Sequence, residues 1–304
     1  MNPLKAGAVA VPRAGKLDTK PAKALVDERP GDAEHKELEL VTWLRARGSA
    51  LVGFSGGVDS VYLAFVARKA LGAERVLAVI GKSASYPGVQ WQTARRVADD
   101  FDIPVHEIDT DEMNDPRYAA NPVNRCYFCK GELWTRLVPV AVERGLAVVL
   151  DGTNADDLSD YRPGAKAAEE HGVLSPLALL GFTKQDIRAR SRVHGLPTWS
   201  QPSAPCLSSR VPYGTAVTAE RLLMIERAEA ALRALGVTGD LRVRYHDDLA
   251  RIELSRDELP RWLEPTLQLV LASAVRGAGF QRVAIDLAGF RSGSLNVLTG
   301  VVSV

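Results

Sequence analysis

The sequence predicts an α/β protein with an open parallel sheet covered by helices on both faces, followed by a smaller C-terminal α+β domain. Apolar strand-like runs alternate with helix-like periodicity from about residue 50 to about residue 193, which is typical of parallel β-α-β units. The alternation stops at a proline-rich stretch, LPTWSQPSAPCLSSRVPYG, and a different order of elements follows. With 304 residues, the chain is long enough for two domains that each have a core.

The first 33 residues are rich in Ala, Pro, Lys and Asp and lack apolar periodicity, so they are predicted to be a flexible extension. A helix is expected from Glu34 to Arg47, where apolar residues recur at helical spacing. Strands are then predicted at LVGFS, VLAVIGKS, VHEIDT and AVVLDGTN, and helices at VDSVYLAFVARKAL, VQWQTARRVADDF, CYFCKGELWTRLVPVAVERG and TKQDIRARSRVHG. In such a sheet, ligands bind beyond the carboxyl ends of the strands.

The C-terminal part begins near residue 200. A long amphipathic helix, TAERLLMIERAEAALRALG, precedes two predicted strands, LRVRYH and RIELS. One helix is then expected around Pro260 to Ala278, and the chain ends on RVAIDLAGFRSGSLN, where Arg291, Ser292 and Ser294 form a polar cluster. This order indicates a small α+β domain.

Composition and charge exclude several classes of protein. The 38 Lys and Arg residues almost cancel the 37 Asp and Glu residues, so no overall field favours nucleic acid. The sequence has no apolar run of membrane-spanning length and no secretory leader pattern. We therefore expect a cytoplasmic protein that binds neither nucleic acid nor a membrane.

The stretch LVGFSGGVDS, residues 51–60, predicts an anion site. A strand that ends in Ser-Gly-Gly before a helix presents backbone N–H groups at the positive end of the helix dipole. Glycine lets the main chain approach an anion closely, and Ser55 and Ser60 add hydroxyl donors. The kinase-type spacing GxxxxGK[ST] is absent. The alternative is a tight turn without a ligand.

The three cysteines, Cys126, Cys129 and Cys206, are too few for a disulfide framework. The C-x-x-C pair fits a redox pair, half of a zinc site or a chance helix start, although the sequence lacks a second C-x-x-C. Together, three thiolates can hold a [4Fe–4S] cluster and leave one iron open. Cys206 is followed by Ser209 and Arg210, and an arginine near a thiol favours the nucleophilic thiolate. The alternative for Cys206 is a small apolar loop residue.

A second anion site is predicted in the C-terminal domain. Arg242 and Arg244 alternate on one strand, so both guanidinium groups lie on the same face and can bind phosphate. Ser209 and Arg210 complete this candidate phosphate site. The alternative is a solvated strand face with acidic neighbours.

The hexapeptide SGGVDS resembles the PP-loop of the ATP pyrophosphatases, which activate an oxygen as an adenylate and release pyrophosphate. The resemblance implies that five residues hold the ATP phosphates: Ser55, Gly56, Gly57, Asp59 and Ser60. It also implies that Asp59 lies near Mg²⁺, that Ser83 lies beside the adenine, and that Gly152 and Thr153 line the nucleotide pocket.

A wider set of stretches resembles the LarE family, the ATP-dependent sulfur transferases that make the nickel-pincer nucleotide of lactate racemase. The matching stretches are SGGVDS, NRCYFCK, DGTNADDLSDYRPG, PCLSSRVPYGT, RVRYHD and DLAGFRSGSLN, and the resemblance extends from about residue 36 to the C-terminus. It implies a PP-loop ATP-binding domain at residues 34–200. Residues 201–304 would form a domain for substrate binding, sulfur transfer and oligomerisation, and the family suggests a homohexamer.

The family's substrate is pyridinium-3,5-biscarboxylic acid mononucleotide, whose carboxylates are adenylated by ATP and converted to thiocarboxylates. Some members sacrifice one cysteine, matching Cys206, and are left with dehydroalanine. Others carry three cysteines and a [4Fe–4S] cluster, which the set Cys126, Cys129 and Cys206 favours here. Two other functions remain open, namely a tRNA thiolase of the same superfamily and a non-catalytic adenine-nucleotide sensor with a redox-active C-x-x-C.

Overall fold

A computed structural model describes residues 31–159, 162–202 and 205–291. The first helix begins at Gly31, ahead of the predicted start at Glu34. The rest of the predicted extension lies outside the described residues, as do Ser292 and Ser294.

The N-terminal part contains four parallel strands in the order β3-β2-β1-β4: β1 (Ala50–Gly53), β2 (Val76–Lys82), β3 (Val105–Asp109) and β4 (Val148–Leu150). The described helices around it are α1 (Gly31–Arg47), α2 (Val58–Leu71), α3 (Gly88–Asp100), α4 (Pro116–Ala119), α5 (Arg125–Glu143), α6 (Pro163–Glu170), α7 (Pro176–Leu179) and α8 (Lys184–Val193). The predicted open parallel sheet is confirmed.

Both faces of the sheet are covered, as β1 illustrates. Ala50 and Val52 pack into the core that contains α1, α2 and α8, whereas Leu51 packs with Trp134 and Leu137 of α5 on the opposite face. Successive side chains of a strand point to opposite faces, so a central strand buried on both sides is apolar throughout. This explains why the sequence shows a continuous apolar run at β1.

The C-terminal part has a second, mixed sheet in the order β5-β6-β7: β5 (Leu241–His246), β6 (Leu249–Leu254) and β7 (Arg282–Ile285). Helices α9 (Ala219–Ala234), α10 (Leu259–Trp262) and α11 (Pro265–Gly277) accompany it. The prediction of one helix from Pro260 to Ala278 was wrong. Proline clashes inside a helix but suits its first turn, so Pro265 starts a new helix after Glu264.

The C-terminal core also takes in residues from the N-terminal part. Tyr118 is buried among the C-terminal apolar residues, and Phe128 and Cys129 of α5 pack against the same cluster. The start of the cysteine-bearing helix therefore contacts the C-terminal part of the chain. The predicted division at residues 200 and 201 stays a prediction.

Candidate active site

The turn between β1 and α2 has the geometry of an anion cradle. Gly56 has a φ of +72°, and a Cβ added there would lie 2.8 Å from the Cβ of Ala94. Among the described residues, no side chain caps α2, which follows Gly57 directly. The first N–H groups of α2 therefore remain available at the positive end of the helix dipole.

The serine side chains of this turn face one another. The backbone N–H of Ser55 donates to Oγ of Ser60 at 3.2 Å, and the two hydroxyl oxygens lie 3.1 Å apart. The carbonyl of Ser55 accepts hydrogen bonds from the Tyr86 hydroxyl at 3.0 Å and from Gln90 Nε2 at 2.7 Å. The structure thus brings the predicted serines and glycines together, and their contact with phosphate stays a prediction.

Asp59, the residue predicted to lie near Mg²⁺, forms an ion pair with Lys184, the first residue of α8. Asn154 Nδ2 also donates to its carboxylate, at 3.4 Å, and the backbone N–H of Lys184 donates to Asp156 at 2.7 Å. Lys184 falls in the predicted helix TKQDIRARSRVHG, and sequence reasoning missed it as a site residue. Its only local signal is a lysine at the start of a helix.

The acidic side of this site suits a hard cation. Asp157 lies next to Asn154, whose N–H donates to its carboxylate at 3.2 Å. Burial raises the pKa of Asp157, an effect that Arg162 opposes and the charge of Asp59 reinforces. Mg²⁺ in phosphate sites is commonly held by one or two carboxylates together with the phosphates themselves. Asp59 and Asp157, which pair here with Lys184 and Arg162, are therefore candidate ligands, and binding of Mg²⁺ stays a prediction.

The end of β4 lies directly against the cradle. A Cβ added to Gly152 would come within 2.9 Å of the backbone nitrogen of Ser60, so a larger residue would push the two segments apart. The hydroxyl of Thr153 donates to Asp151 at 2.9 Å, and Ser175 donates to the same carboxyl group at 2.7 Å. Gly152 thus lies beside the cradle, and the predicted role of Gly152 and Thr153 in lining the nucleotide pocket stays a prediction.

Ser83, at the end of β2, faces a different partner. Its hydroxyl donates to Oε1 of Glu112 at 2.5 Å, and Ser85 donates to the same oxygen at 3.0 Å. Glu112 is only 2% exposed, and its Oε2 has no hydrogen-bond partner among the described residues. The Ser83 side chain therefore joins a polar cluster that extends toward the cysteines, and its predicted place beside the adenine stays a prediction.

The three cysteines are gathered at the start of α5 and the loop that follows residue 205. Burial raises the pKa of the Cys129 thiol, and nearby Glu112 and Cys206 raise it further. The pKa of Cys126 is also raised, by the protein atoms around the thiol and by Cys206, although the side chain is solvent-exposed. Each pair of thiols is thus close enough to interact electrostatically.

The structure places two arginines near Cys206. Arg210 is buried and bonds Glu229 through two nitrogens, at 3.0 and 3.1 Å, and its Nη1 donates to the Cys206 carbonyl at 3.1 Å. Its predicted effect on the Cys206 thiol stays a prediction. Sequence reasoning missed Arg125, whose pKa is lowered by burial but raised overall by Cys206, Cys126 and other neighbouring groups.

The arginines of the predicted second anion site lie together as a buried group. Arg244 donates to the Ser209 carbonyl at 2.8 Å and to Glu253 at 2.9 Å, while Arg242 lies over the ring of Phe290 at 5.0 Å. Burial and the neighbouring charges of Arg210 and Arg244 lower the pKa of Arg242 to about 10. The alternative of a solvated strand face does not hold, although its acidic neighbours are present, and binding of an anion here stays a prediction.

The Cys206 loop contacts two parts of the candidate site. The N–H of Leu207 donates to the Ser85 carbonyl at 2.8 Å, just beyond β2, while Nη1 of Arg210 donates to the Cys206 carbonyl. Cys206 therefore lies on a segment that joins the end of β2 to the buried arginine group. Such an arrangement suits transfer of a group between an activated substrate and sulfur.

In the described part of the chain, no three His, Cys, Asp or Glu side chains converge on a point that suits a single metal ion. This finding does not conflict with a cluster, because the thiolates of an iron–sulfur cluster bind different irons and stand further apart than ligands of one ion.

No described helix is long and apolar enough to cross a membrane.

These features define the class of protein. The parallel sheet and the glycine cradle are those of the PP-loop enzymes, which use ATP, and a family profile described as NAD synthase matches residues 39–136. A GMP synthase (glutamine-hydrolysing) of Aeropyrum pernix is 27% identical over 289 residues, covering 77% of this chain and 55% of that protein.

Two further relatives match most of the chain. An uncharacterised protein of Synechocystis is 44% identical over 251 residues, 82% of this chain and 93% of that protein. The pyridinium-3,5-bisthiocarboxylic acid mononucleotide synthase of Lactiplantibacillus plantarum is 35% identical over 261 residues, 86% of this chain and 94% of that enzyme. The chain therefore belongs to the family of this synthase, which confirms the resemblance found in the sequence.

Proposed function

We propose that this protein is an ATP-dependent sulfur transferase that converts carboxylates of pyridinium-3,5-biscarboxylic acid mononucleotide to thiocarboxylates for a nickel-pincer cofactor. The observation that carries the proposal is the position of the Cys206 loop, which bonds Ser85 on the nucleotide side and Arg210 on the arginine side. The substrate has a carboxylate to activate and a phosphate to anchor, which matches one cradle for ATP and one group of arginines.

In the first half of the reaction, the glycine cradle binds the phosphates of ATP through the N–H groups of α2 and the hydroxyls of Ser55 and Ser60. A substrate carboxylate oxygen attacks the α-phosphorus, the bond to the β-phosphate breaks, and pyrophosphate leaves. The product is an acyl-adenylate, whose carbonyl carbon accepts a nucleophile much more readily than a free carboxylate.

Lys184 and Asp59 give up their mutual ion pair when ATP binds, and each takes a new partner. Without ATP, the Lys184 ammonium pairs with Asp59. When the phosphates enter, Lys184 turns to a phosphate oxygen and Asp59 becomes free to bind Mg²⁺ together with Asp157. A lysine acts on phosphate as a point charge, so it stabilises the negative charge that accumulates on departing pyrophosphate.

The arginine group anchors the other end of the substrate. Arg242 is held beside Arg210 and Arg244, so the positive charges of the three arginines repel one another. Binding of an anion between them relieves this repulsion. We assign the substrate phosphate to these arginines and to Ser209. The phosphate contact orients the pyridinium carboxylates toward the Cys206 loop, which reduces the entropy lost in the transition state.

In the second half, a sulfur nucleophile attacks the acyl-adenylate carbonyl and AMP leaves with the original carboxylate oxygen. Three cysteines gathered near a buried guanidinium suit iron–sulfur ligation, in which each thiol would lose its proton, so Cys126, Cys129 and Cys206 would hold a [4Fe–4S] cluster. Such a cluster would have one iron without a protein ligand and would supply a transferable sulfide. Arg125 offsets the negative charge that the thiolates bring together.

Sacrifice of Cys206 is the second candidate for the sulfur source, supported by the position of this residue between the two anion sites. The Cys206 thiolate would form a thioester as AMP leaves. A base would then remove the Cα proton of Cys206 as the Cβ–S bond breaks, so that sulfur stays on the substrate as a thiocarboxylate and dehydroalanine is left on the protein. Each chain would deliver one sulfur.

The experiment combines a product assay with analysis of the protein. Anaerobically purified protein is incubated with ATP, Mg²⁺ and the biscarboxylate mononucleotide, and we expect pyrophosphate, AMP and a thiocarboxylate product. Iron and acid-labile sulfide bound to the protein support the cluster, whereas colourless active protein whose Cys206 loses the mass of H₂S supports sacrifice. Binding of substrate without pyrophosphate release would favour the sensor, and tight, salt-sensitive binding of tRNA would favour the thiolase.

A further inference from the structure

A buried polar network joins the start of α5 to the Cys206 loop. Its four members are far apart in the sequence but almost completely inaccessible to solvent: Tyr118, Asn121, Arg125 and Ser208. Buried polar groups of this kind are costly unless each finds a partner, so a satisfied network fixes one arrangement of the segments that it joins.

Arg125 is the centre of this network. Its Nη1 donates both to Oδ1 of Asn121, in a short hydrogen bond, and to the carbonyl of Ser208 at 3.0 Å. The Ser208 hydroxyl in turn lies 2.6 Å from the Tyr118 hydroxyl. Arg125, which adjoins Cys126 in the sequence, is thus hydrogen-bonded to the 3-10 turn Leu207–Arg210, which directly follows Cys206.

Asn121 forms hydrogen bonds with the remainder of the same loop. Its side-chain Nδ2 donates to the carbonyls of Pro212 at 2.8 Å and Thr215 at 2.9 Å, and its backbone carbonyl accepts from the N–H of Gly214 at 2.9 Å. Asn121 adopts a left-handed conformation, with φ of +55°, which asparagine tolerates better than most residues. Arg125 orients this amide by binding its oxygen.

We propose that Arg125 is a positioning residue that docks the Cys206 loop onto the start of α5 and so brings Cys206 beside Cys126 and Cys129. Cys126 and Cys129 are neighbours through the helix itself, one turn apart. Cys206 reaches them only through tertiary contacts, of which Arg125 makes one directly, to the Ser208 carbonyl, and supports others by binding the Asn121 amide. The importance of this docking for sulfur transfer rests on the proposed function, whereas the docking itself is argued from the hydrogen bonds of Arg125 alone.

The test measures the distance between thiols directly. Dibromobimane becomes fluorescent only after it joins two thiols, so we use it on reduced, metal-free, full-length protein. Three background variants each leave one cysteine pair: Cys129→Ser leaves Cys126 and Cys206, Cys126→Ser leaves Cys129 and Cys206, and Cys206→Ser leaves Cys126 and Cys129. Arg125→Met is added to each background, and Arg136→Met, which removes an exposed arginine from the same helix, is the matched control.

Loss of two hydrogen bonds from a charged donor should lower cross-linking of both pairs that contain Cys206 by about tenfold or more. The Cys126–Cys129 pair should react at the wild-type rate, and Arg136→Met should change no pair. Unchanged reaction of the Cys206 pairs would overturn the proposal. An equal fall of all three pairs in a protein that still unfolds cooperatively would also overturn it, because the change would then not be specific to the loop.

A second variant covers failure of Arg125→Met to fold. Arg125→Lys keeps the positive charge but cannot reach both acceptors with the same fork, so the Cys206 pairs should still react more slowly than the Cys126–Cys129 pair. Wild-type rates in Arg125→Lys would contradict positioning by the guanidinium. ATP–pyrophosphate exchange with the substrate carboxylate separates the two proposals: its absence in wild-type protein argues against the proposed function, whatever the cross-linking shows.

Discussion

The two candidate anion sites of this protein are built on opposite principles. The cradle between β1 and α2 consists of backbone N–H groups, two hydroxyls and glycines, with Gly56 fixed in a conformation that other residues rarely adopt. The second site consists of long cationic side chains that are buried and already bonded to Glu229, Glu253 and backbone carbonyls. The cradle thus depends on backbone shape, whereas the second site depends on arginine charges that are held in place by glutamates.

This difference determines what each site loses when it is altered. The cradle carries little buried charge, so a mutation there should change ATP binding more than folding. The arginine site contains buried ion pairs, so removal of one partner leaves an uncompensated charge in the interior. Stability and binding should therefore separate between the two sites.

The largest expected effect is in the arginine site. Glu229→Gln removes the carboxylate that binds Arg210 at two positions and should lower the free energy of unfolding by about 3 kcal/mol, the usual cost of breaking a buried pair. Inorganic phosphate should bind this variant more tightly than wild type, because the site becomes more positive. Chemical denaturation and calorimetric titration measure the two quantities.

The matched control for this prediction is the double variant Arg210→Met with Glu229→Gln. It removes both charges and should recover most of the lost stability without recovering phosphate affinity. Weaker phosphate binding by Glu229→Gln would contradict the assignment of an anion to this site.

The next effect concerns the glycine cradle. Gly56→Ala places a Cβ 2.8 Å from Ala94 and forces a left-handed conformation on alanine, so ATP affinity should fall by about 100-fold, as small displacements of a binding group can produce. Gly57→Ala is the control, since a Cβ there would lie 3.5 Å from the Ser55 hydroxyl, an ordinary contact. Equal ATP affinities of the two variants would show that the cradle geometry is not what binds ATP.

Lys184→Met should have a somewhat smaller effect. Loss of one charged hydrogen bond to phosphate should slow pyrophosphate release about 10- to 100-fold. Because Asp59 loses its cationic partner, the variant should also bind Mg²⁺ more tightly before ATP is added. Steady-state release of pyrophosphate across a Mg²⁺ titration measures both changes, and an unaltered rate would remove Lys184 from the nucleotide site.

The smallest predicted effect concerns Arg242, where a substitution should weaken substrate binding without lowering the stability of the protein. Burial and the charges of Arg210 and Arg244 lower the pKa of Arg242 to about 10, so the charged guanidinium destabilises the substrate-free fold. Arg242→Met should leave the free energy of unfolding equal or raise it by about 1 kcal/mol at neutral pH, while substrate affinity falls.

The sign of the pH dependence follows from proton linkage. The ordinary pKa of arginine is 12.5, so above a pH of about 10 the folded protein binds fewer protons at Arg242 than the unfolded chain does. The stability of wild type relative to Arg242→Met should therefore rise with pH in that range, and the paired denaturation curves measure it. A relative fall would contradict the assignment of a destabilising charge.

Local patterns were sufficient to predict the sheet and the cradle from the sequence. Apolar alternation depends on a few neighbouring residues, and the Ser-Gly-Gly turn is contiguous, so both are visible without tertiary structure. The break at Pro265 was also local, and its signal was a proline that suits a helix start.

Partners far apart in the chain could not be predicted in this way. Lys184 pairs with Asp59 across 125 positions, and Arg125 binds the Ser208 carbonyl across 83. Arg210 is near Cys206 both in sequence and in the structure, but its two hydrogen bonds to Glu229 on α9 could not be predicted locally. Neutralisation of the arginines by glutamates likewise depends on how β5, β6 and α9 pack together.

The central claim is that ATP activates a carboxylate at the cradle and that sulfur then replaces the activated oxygen. It is tested most directly with a substrate whose carboxylate oxygens are labelled with heavy oxygen. After one turnover with ATP and Mg²⁺, we predict that the label appears in AMP and that the product carries sulfur in place of that oxygen. Pyrophosphate and thiocarboxylate formation with unlabelled AMP would contradict the account.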